Sequence, residues 1–396
     1  MGNGDYGFGI EEEFFLADAR TRGTPKRGVG AFHSAVRERL DRVERELLQS
    51  QVEISTPPSM SLVEAHARLG ELRAGLAAIG REHGILVFGA GTHPVARWLR
   101  QSPTQADRYE WIMRELRMLG SRNVVCGLHV HVEVPDPASR IDLMNRLLPF
   151  LPVLLALSTS SPFWQGRPTG LAGYRLCAFG EMPRTGLPDL FAGAEDYKHY
   201  VRVMTGAGAI RDASFLWFAV RPSLKYPTLE LRVADSCTRL EDALAVAALY
   251  RCLVRLVDRR PDLNRGLTGA SRAITAENLW RAQADGIRAE LIHEQEERAV
   301  PFPDHLGAVL TQVAEDADAL GCAAEVEMAR MIVARGTSAD QQMRVYDEVR
   351  ASGAGASSRE ALNAVVDWLA VETAGTRGAA SVAPARDTPL SVGQAL

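Results

Sequence analysis

Cysteine is scarce in this chain. Five occur in 396 residues, an odd number, and none forms a Cys-x-x-Cys pair. That usage argues against a disulfide framework and for a reducing compartment. Charge of either sign is not in excess: 45 basic against 49 acidic side chains leave a net −4, with no electrostatic footprint for nucleic acid. Long apolar runs are missing too. The longest, Leu147–Leu157, holds two prolines and is too short to span a bilayer. No basic segment precedes an apolar one at the amino terminus, so no signal peptide is expected, and the expected location is cytoplasmic with no membrane partner. No internal repeat is visible. Apolar residues at 46% suffice for a substantial core. At roughly 150 residues per domain the length allows two or three domains, or one large α/β or α+β unit.

What is present is alternation. Cys126–Val134 reads Cys-Gly-Leu-His-Val-His-Val-Glu-Val. Strand side chains repeat every two residues, so Leu128, Val130, Val132 and Val134 share one face and His129, His131 and Glu133 the other. Two more stretches repeat the design. Gly9–Phe15 puts Glu11 and Glu13 on one face; Thr228–Val233 puts Thr228, Glu230 and Arg232 opposite Leu229, Leu231 and Val233. Glu12 interrupts the apolar face of the first strand, which is readable as a sheet-edge position.

The remaining elements follow from spacing and punctuation. Phe32–Leu40 reads as helix, and Val43–Pro58 as two short strands around Gln49-Ser50. Ser61-x-x-Glu64 is a capping box opening a helix to about His83. Ile85–Gly89 is a buried strand and Gln105–Leu119 a helix. Pro137–Leu157 is helical, broken near Pro149 and Pro152. Ser158–Pro188 is rich in Gly, Pro and hydroxyls and carries Arg167, Arg175 and Arg184; a loop of this length is usually functional. Glu195–Thr205 is a helix, and Ser214–Val220 pairs with Tyr226–Val233 as adjacent strands. After Arg239 the pattern is helical almost to Thr373, with a capping box at Thr238-x-x-Glu241. The reading is one catalytic unit over 1–373, its helical part starting near 239, and a mobile tail over 374–396.

Six groups stand out chemically: Glu11, Glu13, Glu46, Glu53, His129 and Glu230. Glu53 faces the same way as Gln51 and Ser55. Glu46 has a competing reading, as a solvated position if Val43–Leu48 continues the preceding helix. Carboxylates with one imidazole suit hard divalent ions, and Mg²⁺ is typically held by a few carboxylates plus waters and phosphates. Several ions in one acidic pocket need an anionic partner, which suggests a nucleoside triphosphate. Arg232, two residues from Glu230 on the same face, is placed to grip a phosphate. A zinc reading of Cys126-x-x-His129 lacks a second cysteine pair. Gly89-Ala-Gly-Thr lacks a P-loop lysine and reads as a tight turn.

Gly-Ile-Glu-Glu-Glu, Gln-Ser-Gln-Val-Glu-Ile-Ser-Thr-Pro, Gly-Leu-His-Val-His-Val, Ser-Ser-Pro-Phe-Trp-Gln-Gly-Arg and Thr-Leu-Glu-Leu-Arg occur in this order between residues 9 and 239. Together they resemble the carboxylate–amine ligases of the bacterial glutamate–cysteine ligase type 2 kind. The resemblance implies an α+β, glutamine-synthetase-like fold: a curved antiparallel sheet with flanking helices and a helical C-terminal part. It implies ATP and two or three Mg²⁺ ions, with Mn²⁺ as an alternative. Glu11, Glu13, Glu46, Glu53, His129 and Glu230 would be metal ligands, and Arg232, with Glu230, would act at the transferred phosphate. His131 reads as a wall of the nucleotide or substrate site. Arg167, Arg175 and Arg184 would close over the substrates. The implied reaction is ATP-dependent and ADP-forming: a carboxylate, γ-glutamyl being one option, becomes an acyl phosphate that an amine displaces. More distant glutamate–cysteine ligases carry an amide where His131 stands, and no motif identifies cysteine as the amine. The implied partners are a small carboxylate and a small amine, with a homodimer allowed. A nucleotide-binding relative without catalysis and a guanidino phosphotransferase on the same fold are the alternatives.

Overall fold

The strand that carries the first acidic pair is the hub of the fold. In a computed structural model describing residues 6–58, 61–352 and 357–379, β1 (Phe8–Asp18) pairs antiparallel with three other strands. The chain continues through helix α1 (Val29–Arg39), β2 (Val43–Arg45), β3 (Gln51–Ser55), helix α2 (Leu62–Glu82) and β4 (Ile85–Phe88). Helices α3 (Asp107–Leu116) and α4 (Met118–Arg122) lead into β5 (Leu128–Glu133), followed by helices α5 (Arg140–Leu147) and α6 (Leu151–Ser158). Next come a small hairpin of β6 (Phe163–Trp164) and β7 (Arg167–Pro168), helix α7 (Arg175–Phe179), β8 (Thr185–Gly186) and helix α8 (Ala194–Gly206). Strands β9 (Trp217–Phe218), β10 (Val220–Pro222) and β11 (Thr228–Leu231) precede helices α9 (Leu240–Arg259) and α10 (Gly269–Asp285). A hairpin of β12 (Glu290–His293) and β13 (Arg298–Pro301) separates these from helices α11 (Phe302–Ala319), α12 (Ala323–Arg335), α13 (Ser338–Ala351) and α14 (Ser358–Ala379).

Seven strands form the main sheet in the order β10-β11-β5-β1-β3-β2, with β4 paired to the far end of β1. The alternation explains its two faces. Ile10, Phe14, Leu128, Val130, Val132, Leu229 and Leu231 are fully buried on the back, where α2, α9, α5 and α14 pack. The acidic side chains occupy the opposite, open face. Helix α2 begins at the capping box read from Ser61, whose Oγ accepts from the Glu64 amide while Glu64 accepts from the Ser61 amide. Its stripe Leu62, Ala65, Leu69, Leu72, Leu76 and Ile79 is buried as the spacing requires.

Several expectations need correction. Glu12 is not at a sheet edge. It lies on the buried back face of the hub strand, 1% exposed, and receives both arms of Arg73 from α2 at 2.9 and 2.5 Å. Arg73 also donates to the carbonyls of Thr238 (2.8 Å) and Cys237 (3.0 Å), tying β1 to the segment after β11. The pairing strand before the β10–β11 turn is Val220–Pro222, not Ser214–Val220, because Trp217–Phe218 pairs with β8 instead. Thr238 caps no helix: its hydroxyl donates to the Gly89 carbonyl, and α9 starts after Arg239 without a side-chain cap. The supposedly all-helical end contains the β12–β13 hairpin. The last helix continues into the stretch read as a tail, with non-helical backbone at Gly375; residues 380–396 lie outside the described residues. The helical run Pro137–Ser158 is apolar enough over one window to resemble a membrane span, but 83% of that window is buried against the rest of the protein.

A buried charge stripped of its partner is strongly destabilising. Glu12→Leu alone should therefore lower stability by about 3–5 kcal/mol in urea denaturation, and Glu12→Leu with Arg73→Met should recover part of that loss. Unchanged stability in the single variant would show that the pair does not hold the hub strand.

Candidate active site

The strand register builds the site row by row. Glu13 pairs with Glu53; Glu11 pairs with Ser55 on one side and His129 on the other; His131 pairs with Glu230, and Arg221 with Glu230. Because these positions alternate in step on five strands, their side chains emerge on one face. Glu46, in the turn between β2 and β3, reaches the same floor and accepts a hydrogen bond from the Leu47 amide at 2.9 Å. All of these groups line a single cavity of about 930 Å³, at the upper end of the range typical of small-molecule sites.

Three overlapping triads present ligand-type atoms within 4.8 Å of one another: Glu11, His131 and Glu230; Glu11, Glu53 and His129; Glu13, Glu46 and Glu53. Glu11 and Glu53 are each shared by two triads. Glu11 sits between the histidines, 3.5 Å from His129 Nδ1 and 3.5 Å from His131 Nε2. His129 Nε2 is 3.8 Å from Glu13 and His131 Nε2 is 4.0 Å from Glu230. His131 Nδ1 is fixed by the Thr228 hydroxyl at 3.0 Å, which turns Nε2 toward the acids. The sequence reading made His131 a wall; the fold places it in a ligand-capable triad.

The electrostatics divide the acids into two groups. Burial pushes Glu230 up, but the guanidinium groups of Arg232 and Arg221 outweigh it and hold the carboxyl well below its ordinary value. Arg221 forks onto Glu230 with bonds of 2.7 and 3.1 Å, and Arg232 pairs with the same carboxylate. For Glu11 burial is likewise outweighed, by hydrogen bonds with His129 and His131, so it is held low. For the other pair burial and neighbouring carboxylates win. Glu46 is pushed up to about 8 by burial and by Glu13. Glu53 is raised well above its ordinary value by burial and by Glu11, Glu46 and Glu13. His129 is lowered by burial and by Arg232, so its ring is neutral and able to ligate. His131 is raised because Glu11 and Glu230 outweigh its burial.

Divalent cations fit this donor set. His129 Nε2 is buried without a hydrogen-bond partner among the described residues, and burial and neighbouring carboxylates push Glu46 and Glu53 up, a penalty that added positive charge relieves. Ligands on opposite sides of Mg²⁺ lie roughly 4.2 Å apart, close to the spacing already present. Cys126 belongs to no such triad; its thiol meets the Gln51 amide at 3.5 Å.

Of the arginines expected over the substrates, only Arg175 lines the cavity. Its guanidinium donates to the carbonyls of Arg232 (3.2 Å) and Val233 (3.4 Å), and it lies where a Cβ on residue 127 would fall, so a side chain there would displace it. Arg167 is exposed on β7, and Arg184 donates to the Phe215 carbonyl at 3.3 Å and covers the Trp217 ring; neither lines the cavity. The reason is that Ser158–Pro188 is a packed segment rather than a free loop. Ser160 and Ser161 are fully buried and both bond to Asp235, and Gln342 donates to the Ser160 carbonyl at 2.8 Å. The residue the sequence reading missed is Arg221. Its Val-Arg-Pro context shows no face, and only the cross-strand register sets it against Glu230.

Compared with known proteins, residues 7–367 match the Glutamate-cysteine ligase family 2. A protein of Bradyrhizobium diazoefficiens is 44% identical over 384 residues, covering 96% of this chain and 87% of its own length. One of Ectopseudomonas mendocina is 45% identical over 367 residues, covering 92% and 96%. Both are named, provisionally, glutamate–cysteine ligase 2. Among solved structures, a glutamate–cysteine ligase from Francisella tularensis in complex with AMP has a TM-score of 0.67 at 13% identity, covering 95% of this chain and 91% of that one. At that identity the likeness establishes the shared fold.

A carboxyl with a raised folded-state pKa favours the fold below the ordinary carboxylate range, and that stability is lost as pH climbs through the raised value. In EDTA the thermal midpoint should therefore fall between about pH 5 and 8, and Mg²⁺ should restore it by an amount that grows with pH. Glu46→Gln should flatten the profile. A Mg²⁺ shift identical at both ends of the range would contradict the assignment.

Proposed function

Because the chain belongs to the glutamate–cysteine ligase family 2, we propose that it is an ATP-dependent ligase that joins a carboxylate to an amine. The observation that carries this reading is the row of three triads linked by shared carboxylates, flanked by Arg232 and Arg221. A phosphoryl-transfer site needs positioning and positive charge along a chain of phosphates more than it needs covalent chemistry of its own. Glu11, His131 and Glu230, then Glu53 and His129, then Glu13 and Glu46 would hold two or three Mg²⁺ ions. Bound there, such ions would supply positive charge against the nucleotide's phosphates and the transferred group.

The chain's own residues do the rest. Arg232 is a cation paired with Glu230 and 3.5 Å from His129 Nδ1. Burial alone would lower its pKa, but the pairing with Glu230 outweighs burial and raises it, so its charge is permanent. Its place is beside the transferred phosphoryl group. Arg221, locked onto Glu230 and donating to the Ser214 and Leu216 carbonyls at 3.1 and 2.8 Å, keeps that carboxylate aimed at the floor. In the first step a carboxylate oxygen of the acid attacks the γ-phosphorus and ADP leaves. In the second, the amine nitrogen attacks the acyl carbon and phosphate leaves. The walled cavity limits hydrolysis between the steps. The acid is read as an amino-acid carboxylate, with the γ-carboxyl of glutamate the first candidate because of the family name.

With ATP, Mg²⁺ and glutamate, hydroxylamine should yield a hydroxamate together with equal ADP and phosphate. Arg232→Lys should cut kcat on the order of 10²–10³-fold without changing circular dichroism, since a point charge cannot replace a bidentate clamp. ADP released without phosphate would instead mark phosphotransfer to a guanidino acceptor, and full activity in the Lys variant would make Arg232 a structural residue.

A further inference from the structure

The cavity has two unlike ends, and the ligase reading leaves one of them without an occupant. At about 3.4 Å per residue, the rows from Gln51 to Thr228 span on the order of 27 Å, with the triads in the middle. At the Thr228 end, the β10–β11 turn exposes Leu224 (63%) and Tyr226 (48%) at the cavity wall, a surface suited to a flat base. The Gln51 end is different.

Gln51 is 2% exposed and lines the cavity on the same face as Glu53, one alternation away. Its amide orientation is fixed: Nε2 donates to the Val125 carbonyl at 2.6 Å, so Oε1 points the other way. That oxygen is buried and has no hydrogen-bond partner among the described residues. A buried acceptor left unpaired costs about 1–3 kcal/mol, and the residue that carries it is one of those lining the cavity. One alternation along the same extended segment from Val125 is Gly127, over which Arg175 lies. The backbone positions that the two side chains touch, 125 and 127, are about 7 Å apart in extended chain, so an acceptor for an ammonium and a cation for a carboxylate are neighbours along one segment.

Apolar side chains line the same cavity. Ile112 and Leu116 project from one face of α3; Phe179 follows Arg175 by one turn of α7, its ring 5.5 Å from the guanidinium; Met182 completes the wall. These four keep 5–8% of their surface open, where Ile10, Phe14 and Val130 behind the sheet keep none, and they line the cavity. Four large apolar side chains around a recess match a large apolar group and leave a small polar one poorly packed.

We propose that the amine substrate of the ligase reading is an α-amino acid with an aliphatic or aromatic side chain. Its ammonium is received by Gln51 Oε1, its carboxylate by Arg175, and its side chain by the recess of Ile112, Leu116, Phe179 and Met182. This rests on the ligase reading for the word substrate, but the pocket itself is tested by binding alone.

The test is calorimetric titration of the full chain, with Mg²⁺ and a non-hydrolysable ATP analogue present, by leucine, phenylalanine, cysteine and serine. Leucine or phenylalanine should bind at least about tenfold more tightly than cysteine or serine. Gln51→Leu should weaken that binding by at least about tenfold and should bind the nucleotide analogue as before. Leu116→Ser, at the cavity wall, should erase the preference for leucine over serine. Cysteine binding as tightly as leucine, or Gln51→Leu without effect, would overturn the proposal. Selective leucine binding in a protein that forms no amide or hydroxamate would uphold the pocket and overturn the ligase reading.

Discussion

Mutual repulsion among carboxylates on one face of a sheet is the constraint on which the rest of this structure depends. Glu11, Glu13, Glu46 and Glu53 converge on one floor. Burial and like charge push Glu46 and Glu53 upward, while the histidines hold Glu11 low and the arginines hold Glu230 low. Such a surface persists only if its backbone is held from behind. The hub strand β1 is therefore paired on both sides and along its whole length. Its back is packed by helices, with the Glu12–Arg73 pair pinning it to α2 and to the chain after β11. The arrangement spends fold stability on a site that is unfavourable until positive charge arrives, a pattern expected where electrostatic preorganisation is the function.

Register is the second requirement. A slip of one residue between β1 and β3 would turn Glu53 to the helices and Ile54 to the cavity. The apolar alternation behind the sheet, with Ile10, Phe14, Ile54 and Val130 fully buried, makes that slip costly. The same hydrophobic pattern that builds the core thus also fixes the spacing of the ligand-type atoms in front. The arginines extend this logic: Arg221 and Arg232 both bind Glu230, so a carboxylate held well below its ordinary value is also clamped from two sides.

Much of this was legible in the linear sequence because alternation is a local signal. His129, His131, Glu11, Glu13, Glu53 and Glu230 announced their common face through their apolar neighbours, and the Ser61 capping box marked the start of α2. What was not legible depends on partners distant in the chain. Glu12 breaks the apolar face for a reason visible only when Arg73 is brought beside it. Arg221 lacks any local pattern and becomes part of the site through the β10–β11 register. Arg167 and Arg184 looked like substrate clamps because Gly, Pro and hydroxyl residues suggest a free loop. The hydroxyls of Ser160 and Ser161 instead bond inward to Asp235 and Ser236, and the segment packs. Composition identifies a segment without regular structure; it does not say whether that segment's polar groups bond to protein or to solvent.

The central claim is that this acidic floor activates a carboxylate by passing it the γ-phosphoryl group before the amine attacks. The most direct test labels both oxygens of the acid's reacting carboxylate with oxygen-18 and follows one turnover with ATP, Mg²⁺ and amine. An acyl phosphate requires one labelled oxygen to leave in the released phosphate, one per amide formed. Amide formation with unlabelled phosphate would contradict the account.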